Sequence, residues 1–108
     1  MRIKHVVMFA FKPEAAPEAI RAFEQGLLGL PSVCPQILSH ELGSDLRLES
    51  GLKHPLGPNR HLAWSVTCKT VEDYLAYNDS EAHKAVLDLV KPILLPGSRG
   101  AIQYEVPE

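Results

Sequence analysis

Between Ile3 and Phe11 the chain is apolar on both parities of an extended segment. Ile3, Val7, Phe9 and Phe11 fall on one face, and Val6, Met8 and Ala10 on the other. Residues 3 to 11 therefore predict a strand buried on both sides. Pro13 breaks the pattern and Pro17 suits a first helical turn. Ile20, Phe23, Leu27 and Leu30 then recur at the three- and four-residue spacing of an amphipathic helix, predicted to end near Pro31. Gly26 and Gly29 weaken its last turns. Residues 36 to 42 read as a short second strand, with Ile37, Ser39 and Glu41 opposite Leu38, His40 and Leu42. From residue 43 to 60 the chain carries Gly43, Gly51, Pro55, Gly57 and Pro58 without periodic apolar positions, which predicts a long surface connection.

A third strand, residues 61 to 68, places His61, Ala63, Ser65 and Thr67 on one face and Leu62, Trp64, Val66 and Cys68 on the other. Thr70 with Asp73 three positions later resembles a capping box, so a helix is predicted from about Val71 to Val90. An interruption is expected near Asn78 to Ser80, where Ser80 can cap a second segment, and Pro92 stops the helix. Ile102, Tyr104 and Val106 alternate with Ala101, Gln103 and Glu105 in a last strand. The order β-α-β-β-α-β is the α+β, ferredoxin-like or split βαβ arrangement, with an antiparallel sheet.

Two helices cover one face of such a sheet, yet strands one and three are apolar on both. A second copy of the chain, laid sheet to sheet about a two-fold axis, would supply the missing layer. The pattern thus predicts a homodimer that buries Val6, Met8, Leu62, Trp64 and Val66 between subunits.

Composition narrows the function classes. A chain of 108 residues with 45% apolar content supports one core and is too short for two, so residues 1 to 108 are expected to form a single domain. Eleven basic residues against thirteen acidic ones leave a formal charge of −2. The basic residues are scattered, so no footprint for nucleic acid or anionic lipid exists. No apolar run approaches the roughly 20 residues that span a bilayer. Cys34 and Cys68 form no CxxC pair and accompany no secretory leader, which points to a cytoplasmic protein with free thiols. No HxH or HxxH pair and no His-Glu pair at ligand spacing occurs, so no metal is expected for the fold, and a divalent metal bound by the histidines is only the runner-up chemistry.

The candidate chemistry lies in Tyr74-Leu75-Ala76-Tyr77-Asn78-Asp79-Ser80-Glu81-Ala82-His83, which sets two phenols and an imidazole along one helical stretch. Such groups move protons near neutral pH. His83 shares a helical face with Val86, Leu87 and Val90, so it points inward and is the candidate general base. A histidine at a helix start also commonly bonds a nearby carbonyl. Tyr77 is the candidate donor to a substrate oxygen that gains charge, although a tyrosine also commonly packs half-buried with its hydroxyl wet. The spacing of six is not a helical repeat, so the two residues can share a cavity only if the helix breaks near Asp79 and Ser80. His5 and His61, from neighbouring strands, are candidates to orient or polarise a ligand, or are hydrogen-bonded core histidines. His40 and His54 read as surface residues, and Cys68 as a small core residue.

The chain resembles the stress-responsive A/B barrel (Dabb) proteins of the dimeric α/β-barrel superfamily over nearly its whole length. The resemblance rests on Ile3-Lys4-His5-Val6-Val7-Met8-Phe9-Ala10-Phe11-Lys12, Val71-Glu72-Asp73-Tyr74-Leu75-Ala76-Tyr77, Ala82-His83-Lys84-Ala85-Val86, Lys91-Pro92 and Tyr104-Glu105-Val106. The family's Tyr-x-x-His-Pro-x-His motif reads Tyr77-Asn78-Asp79-Ser80-Glu81-Ala82-His83 here, with Ser80-Glu81 replacing His-Pro. The resemblance implies a dimeric α/β barrel. It also implies, by similarity to a plant polyketide cyclase of that superfamily, working positions at His5, His61, Tyr77 and His83.

The expected protein is a homodimer with a pocket between the second helical region and the sheet. His61, Ala63 and Ser65 are expected to floor it, and Tyr74 to help bind the substrate. The expected activity is acid–base chemistry without a cofactor on a small apolar or aromatic carbonyl compound: cyclisation, isomerisation or decarboxylation. Its competitors are a non-catalytic ligand-binding or stress-associated protein and a cofactor-independent monooxygenase.

Overall fold

Strand register, which periodicity leaves open, decides which apolar faces lie on the same side of the sheet. The computed structural model describes residues 1–107. The elements are β1 (Arg2–Phe9), α1 (Pro17–Val33), β2 (Ser39–Ser44), α2 (Glu49–Leu52), β3 (Leu62–Cys68), α3 (Val71–Asn78), α4 (Glu81–Val90) and β4 (Gly100–Val106). The strands form one sheet in the order β2-β3-β1-β4, every neighbouring pair antiparallel. This is the expected α+β ferredoxin-like architecture.

Directly opposed residues of antiparallel strands project to the same face. Val7 lies opposite Trp64 and Ala101, and His5 opposite Val66 and Gln103. Ile3, His5, Val7 and Phe9 therefore share the helix-covered face with Leu62, Trp64, Val66 and Cys68, and all eight are buried. Val7, Phe9, Leu62, Trp64, Val66 and Cys68 form one core with Phe23, Leu27 and Leu30 of α1 and Val86 and Val90 of α4. Phe9 meets Phe23 edge to face at 5.2 Å between ring centroids, an arrangement the aromatic quadrupole favours. Gly26 allows the close approach of α1 to α4, because a Cβ there would sit 3.1 Å from Leu89 Cδ1.

The register corrects one expectation. Leu62, Trp64 and Val66 do not share a surface with Val6 and Met8; they face the helices. The uncovered face carries Lys4, Val6, Met8, Glu41, Gly43, Ala63, Ser65, Thr67, Ile102 and Tyr104. Of these, Ile102 is 63% exposed and Met8 45%.

Two element boundaries differ from those the periodicity predicts. α1 continues through Pro31 to Val33. A proline so near the C-terminus removes a single intrahelical bond, and Cys34 N–H still closes onto the Leu30 carbonyl at 2.8 Å. β2 is displaced toward Gly43 and Ser44, and the following connection holds the one-turn α2. Asp45 orders that connection by accepting from Arg47 N–H at 2.9 Å and from Asn59 Nδ2 at 3.1 Å. The expected helix interruption is present between α3 and α4.

Candidate active site

The break between α3 and α4 builds the site. Ser80 caps α4: its Oγ accepts from His83 N–H at 3.1 Å and donates to the Tyr77 carbonyl at 2.7 Å. At the end of α3 the helical ladder stops: Asp79 N–H closes onto the Leu75 carbonyl at 2.9 Å and Ser80 N–H onto that of Tyr77 at 3.1 Å, and the last carbonyls turn to other donors. One of them, on Asn78, lies 2.9 Å from His83 Nδ1. A carbonyl only accepts, so Nδ1 carries the hydrogen and the lone pair of the neutral ring is on Nε2.

A second imidazole is fixed in the same sense from the sheet. His5 Nδ1 lies 2.6 Å from Gln103 Oε1, and that amide oxygen also accepts from Tyr74 OH at 3.3 Å. The His5 and Tyr74 rings are 5.0 Å apart. Among the described residues no buried side-chain nitrogen or oxygen lacks a partner. The Nε2 atoms of His5 and His83, which have no protein partner, must therefore reach open space.

Both residues line a cavity of about 190 Å³ between the sheet and the helices. Val7, Phe9 and Trp64 form its sheet wall, and Phe23, Leu27, Val86 and Leu87 its helical wall. Its polar lining is confined to His5, Asn78, His83 and Arg99. A larger groove of about 680 Å³ lies on the uncovered face beside Met8, Asp45, Arg60 and Ala63. It carries no imidazole, and Asp45 and Asn59 there are already engaged in ordering the α2 connection.

Burial lowers the pKa of His83 below its ordinary 6.5, opposed by the Asn78 bond and reinforced by the Arg99 charge. Burial also lowers that of His5, opposed by Gln103 and reinforced by Arg99 and by His83 itself. Both rings are thus neutral at physiological pH and able to accept a proton. Lowered histidine values have a stability consequence. Above the unfolded value of 6.5 neither state binds the proton, and the full stability is present. As pH falls below 6.5 toward the lower folded values, the unfolded chain protonates first and stability is lost. Thermal midpoints measured from pH 7.5 to 5, roughly spanning the ordinary histidine range, should decline, and should decline less in His5→Gln and His83→Gln.

The structure brings together only some of the residues singled out in the sequence. His5 and His83 meet at the cavity, and Tyr74 packs on His5 at its edge. Tyr77 packs its ring 4.9 Å from that of His83, yet it is 1% exposed and its hydroxyl accepts from Trp64 Nε1 at 3.1 Å. Burial pushes its phenol up to about 12. Its hydroxyl belongs to the wall behind the cavity, not to the lining. His61 is elsewhere: its Nδ1 accepts from Phe11 N–H at 3.0 Å and its ring stacks on Phe11, fastening the end of β1. Ala63 and Ser65 lie on the uncovered face, because the register of β3 sends Trp64 and Val66 to the helices. They do not floor the pocket as expected.

Arg99, Gln103 and Asn78 were not anticipated. Gln103 alternates with Tyr104 in the last strand, but only the β1–β4 register sets it opposite His5. Arg99 precedes β4 with no sequence signal. Among the described residues there is no group of three or more His, Cys, Asp or Glu that could hold a metal ion. No described helix is long and apolar enough to cross a membrane.

The family model described as the stress responsive A/B barrel domain, Dabb, matches residues 3–106. The chain belongs to the Dabb family. Solved structures share its fold. A dimeric ferredoxin-like protein of unknown function from Thermobifida fusca is 25% identical, with TM-score 0.81 over 98% of this chain and 92% of that one. A Dabb family protein from Mesorhizobium loti is 21% identical, with TM-score 0.73 over 99% and 97%. The hydroxynitrile lyase of Passiflora edulis is 18% identical, with TM-score 0.81 over 99% and 94%, a likeness of fold. No curated protein matches the sequence.

Proposed function

We propose that this Dabb protein is a homodimer in which each subunit carries out acid–base chemistry without a cofactor on a small carbonyl compound, with His83 as the general base. One observation carries the reading: the Asn78 carbonyl holds His83 Nδ1–H, leaving Nε2 as the basic nitrogen of a ring that lines the cavity. His83 takes the proton from a carbon or hydroxyl of the substrate. Its bond to Asn78 then strengthens, because the ring has become a charged donor. Asn78 also lines the cavity, and its side-chain amide is the donor proposed for the oxygen that gains charge. His5 is the second proton carrier. Charge on His83 disfavours charge on His5, so the pair readily holds one proton rather than two. Tyr77 is a positioning residue that packs on the His83 ring. That a neighbour of the same fold is a hydroxynitrile lyase supports a lyase step, among cyclase and isomerase alternatives.

The test is incubation in deuterated buffer with a panel of small ketones, aldehydes and cyanohydrins, followed by NMR. The reading expects proton exchange or bond cleavage with at least one class and none with His83→Gln. One observation favours a second reading, ligand binding without turnover: the Tyr77 hydroxyl is taken up by Trp64 rather than offered to the cavity. Compounds that bind at His83 with no exchange or cleavage would establish that reading.

The homodimer is supported by the apolar residues on the uncovered sheet face and by neighbours described as dimeric. Ile102→Glu is expected to halve the mass in sedimentation while the circular dichroism spectrum is retained, because a buried unpaired carboxylate is costly. An unchanged mass would place any subunit contact elsewhere. A cytoplasmic location is part of the proposal and is supported by the two free, buried thiols Cys34 and Cys68.

A further inference from the structure

We propose that Arg99 makes this a site for small acids: the compound that enters the cavity carries a carboxylate, which Arg99 binds at the mouth. The inference rests on the proposed cavity site and specifies its substrate class. Arg99 stands immediately before β4, an exposed residue that also belongs to the lining of the cavity. Its neighbours hold the backbone in place: Ser98 Oγ is bonded to both N–H and C=O of Ala10, and Arg60 Nε donates to the Ser98 carbonyl at 2.6 Å. Its own guanidinium forms no ion pair among the described residues. No carboxylate lines the cavity, whose remaining polar groups are two neutral imidazoles and an amide.

An arginine on the lining of a largely apolar cavity, without a carboxylate partner, is matched by a planar anion, which a guanidinium binds through two parallel N–H donors. The apolar walls fit the rest of a small molecule, since about 190 Å³ equals roughly six water volumes at ~30 Å³ each. Arg99 also acts on the imidazoles at a distance. Its charge lowers the pKa of both His5 and His83, and a bound carboxylate would neutralise that effect. Binding of an acid would therefore make His83 a stronger base at the moment the substrate arrives.

The test uses benzoate and its neutral isostere benzamide with the intact protein, reading the histidine ring signals by NMR. Benzoate is expected to shift the His5 and His83 signals and to bind at least tenfold more tightly than benzamide. Arg99→Met should abolish that preference, and Arg99→Lys should restore part of it. Benzoate should also raise the His83 pKa in the native protein and not in Arg99→Met. Equal binding of the two probes, no benzoate binding, or a preference that survives Arg99→Met would overturn the inference. The outcomes separate from those of the proposed function. Equal binding with His83 perturbed retains the cavity site and removes the acid preference. Arg99-dependent benzoate binding with full turnover in His83→Gln retains the acid site and removes His83 as base.

Discussion

Trp64→Ala is expected to lower the unfolding free energy by about 3–5 kcal/mol. Trp64 is 1% exposed between the sheet and the helices, and its Nε1 donates to the Tyr77 hydroxyl at 3.1 Å. Truncation leaves a large void and orphans the Tyr77 oxygen, which by itself costs about 1–3 kcal/mol when buried. The total is a large share of the roughly 5–15 kcal/mol that holds a typical domain together. Urea titration followed by circular dichroism measures it. A loss below about 1 kcal/mol would show that Trp64 does not fill the core. For the same reason Trp64→Glu should unfold the chain rather than split a folded dimer into folded halves.

His83→Gln should reduce kcat/KM on a responsive carbonyl compound by roughly 10²–10⁴-fold, the range for loss of a general base. Glutamine keeps the length and can still donate to the Asn78 carbonyl, so the α3–α4 break and the fold should persist. Tyr77→Phe is the informative contrast. It removes the acceptor for Trp64 Nε1 without touching the cavity lining, so it should act mainly on stability. A His83→Gln enzyme with near-native turnover would remove His83 from the chemistry. A Tyr77→Phe enzyme that is as stable as the parent but inactive would return the phenol to a direct role.

The elements were legible because each carries a local signal: two-fold alternation in the strands, three- and four-residue spacing in α1, and Thr70, Ser80 and Pro92 as start and stop signs. Even the α3–α4 break was visible, since Ser80 is a capping residue within an otherwise helical run. Strand register was not legible. Trp64 and Val6 both look like interface residues on periodicity alone, and only the pairing of Val7 with Trp64 assigns Trp64 to the helices. The same lack of register put Ala63 and Ser65 on the pocket floor, and it hid Gln103 from view as the partner of His5. His61 looked equivalent to His5 because both begin apolar strands. Antiparallel pairing sends them to different places, His5 to the middle of the sheet and His61 to the tie with Phe11. Arg99 has no periodic signature, since its importance comes from where the chain re-enters the sheet.

The central claim is that His83 is neutral with its lone pair on Nε2 at neutral pH. Proton–nitrogen correlation spectra of the histidine rings, recorded through a pH titration of the ligand-free protein, test it most directly. An Nδ1–H tautomer for His83 and a titration midpoint below the ordinary 6.5 are expected. An Nε2–H tautomer, or a midpoint above 6.5, would contradict it.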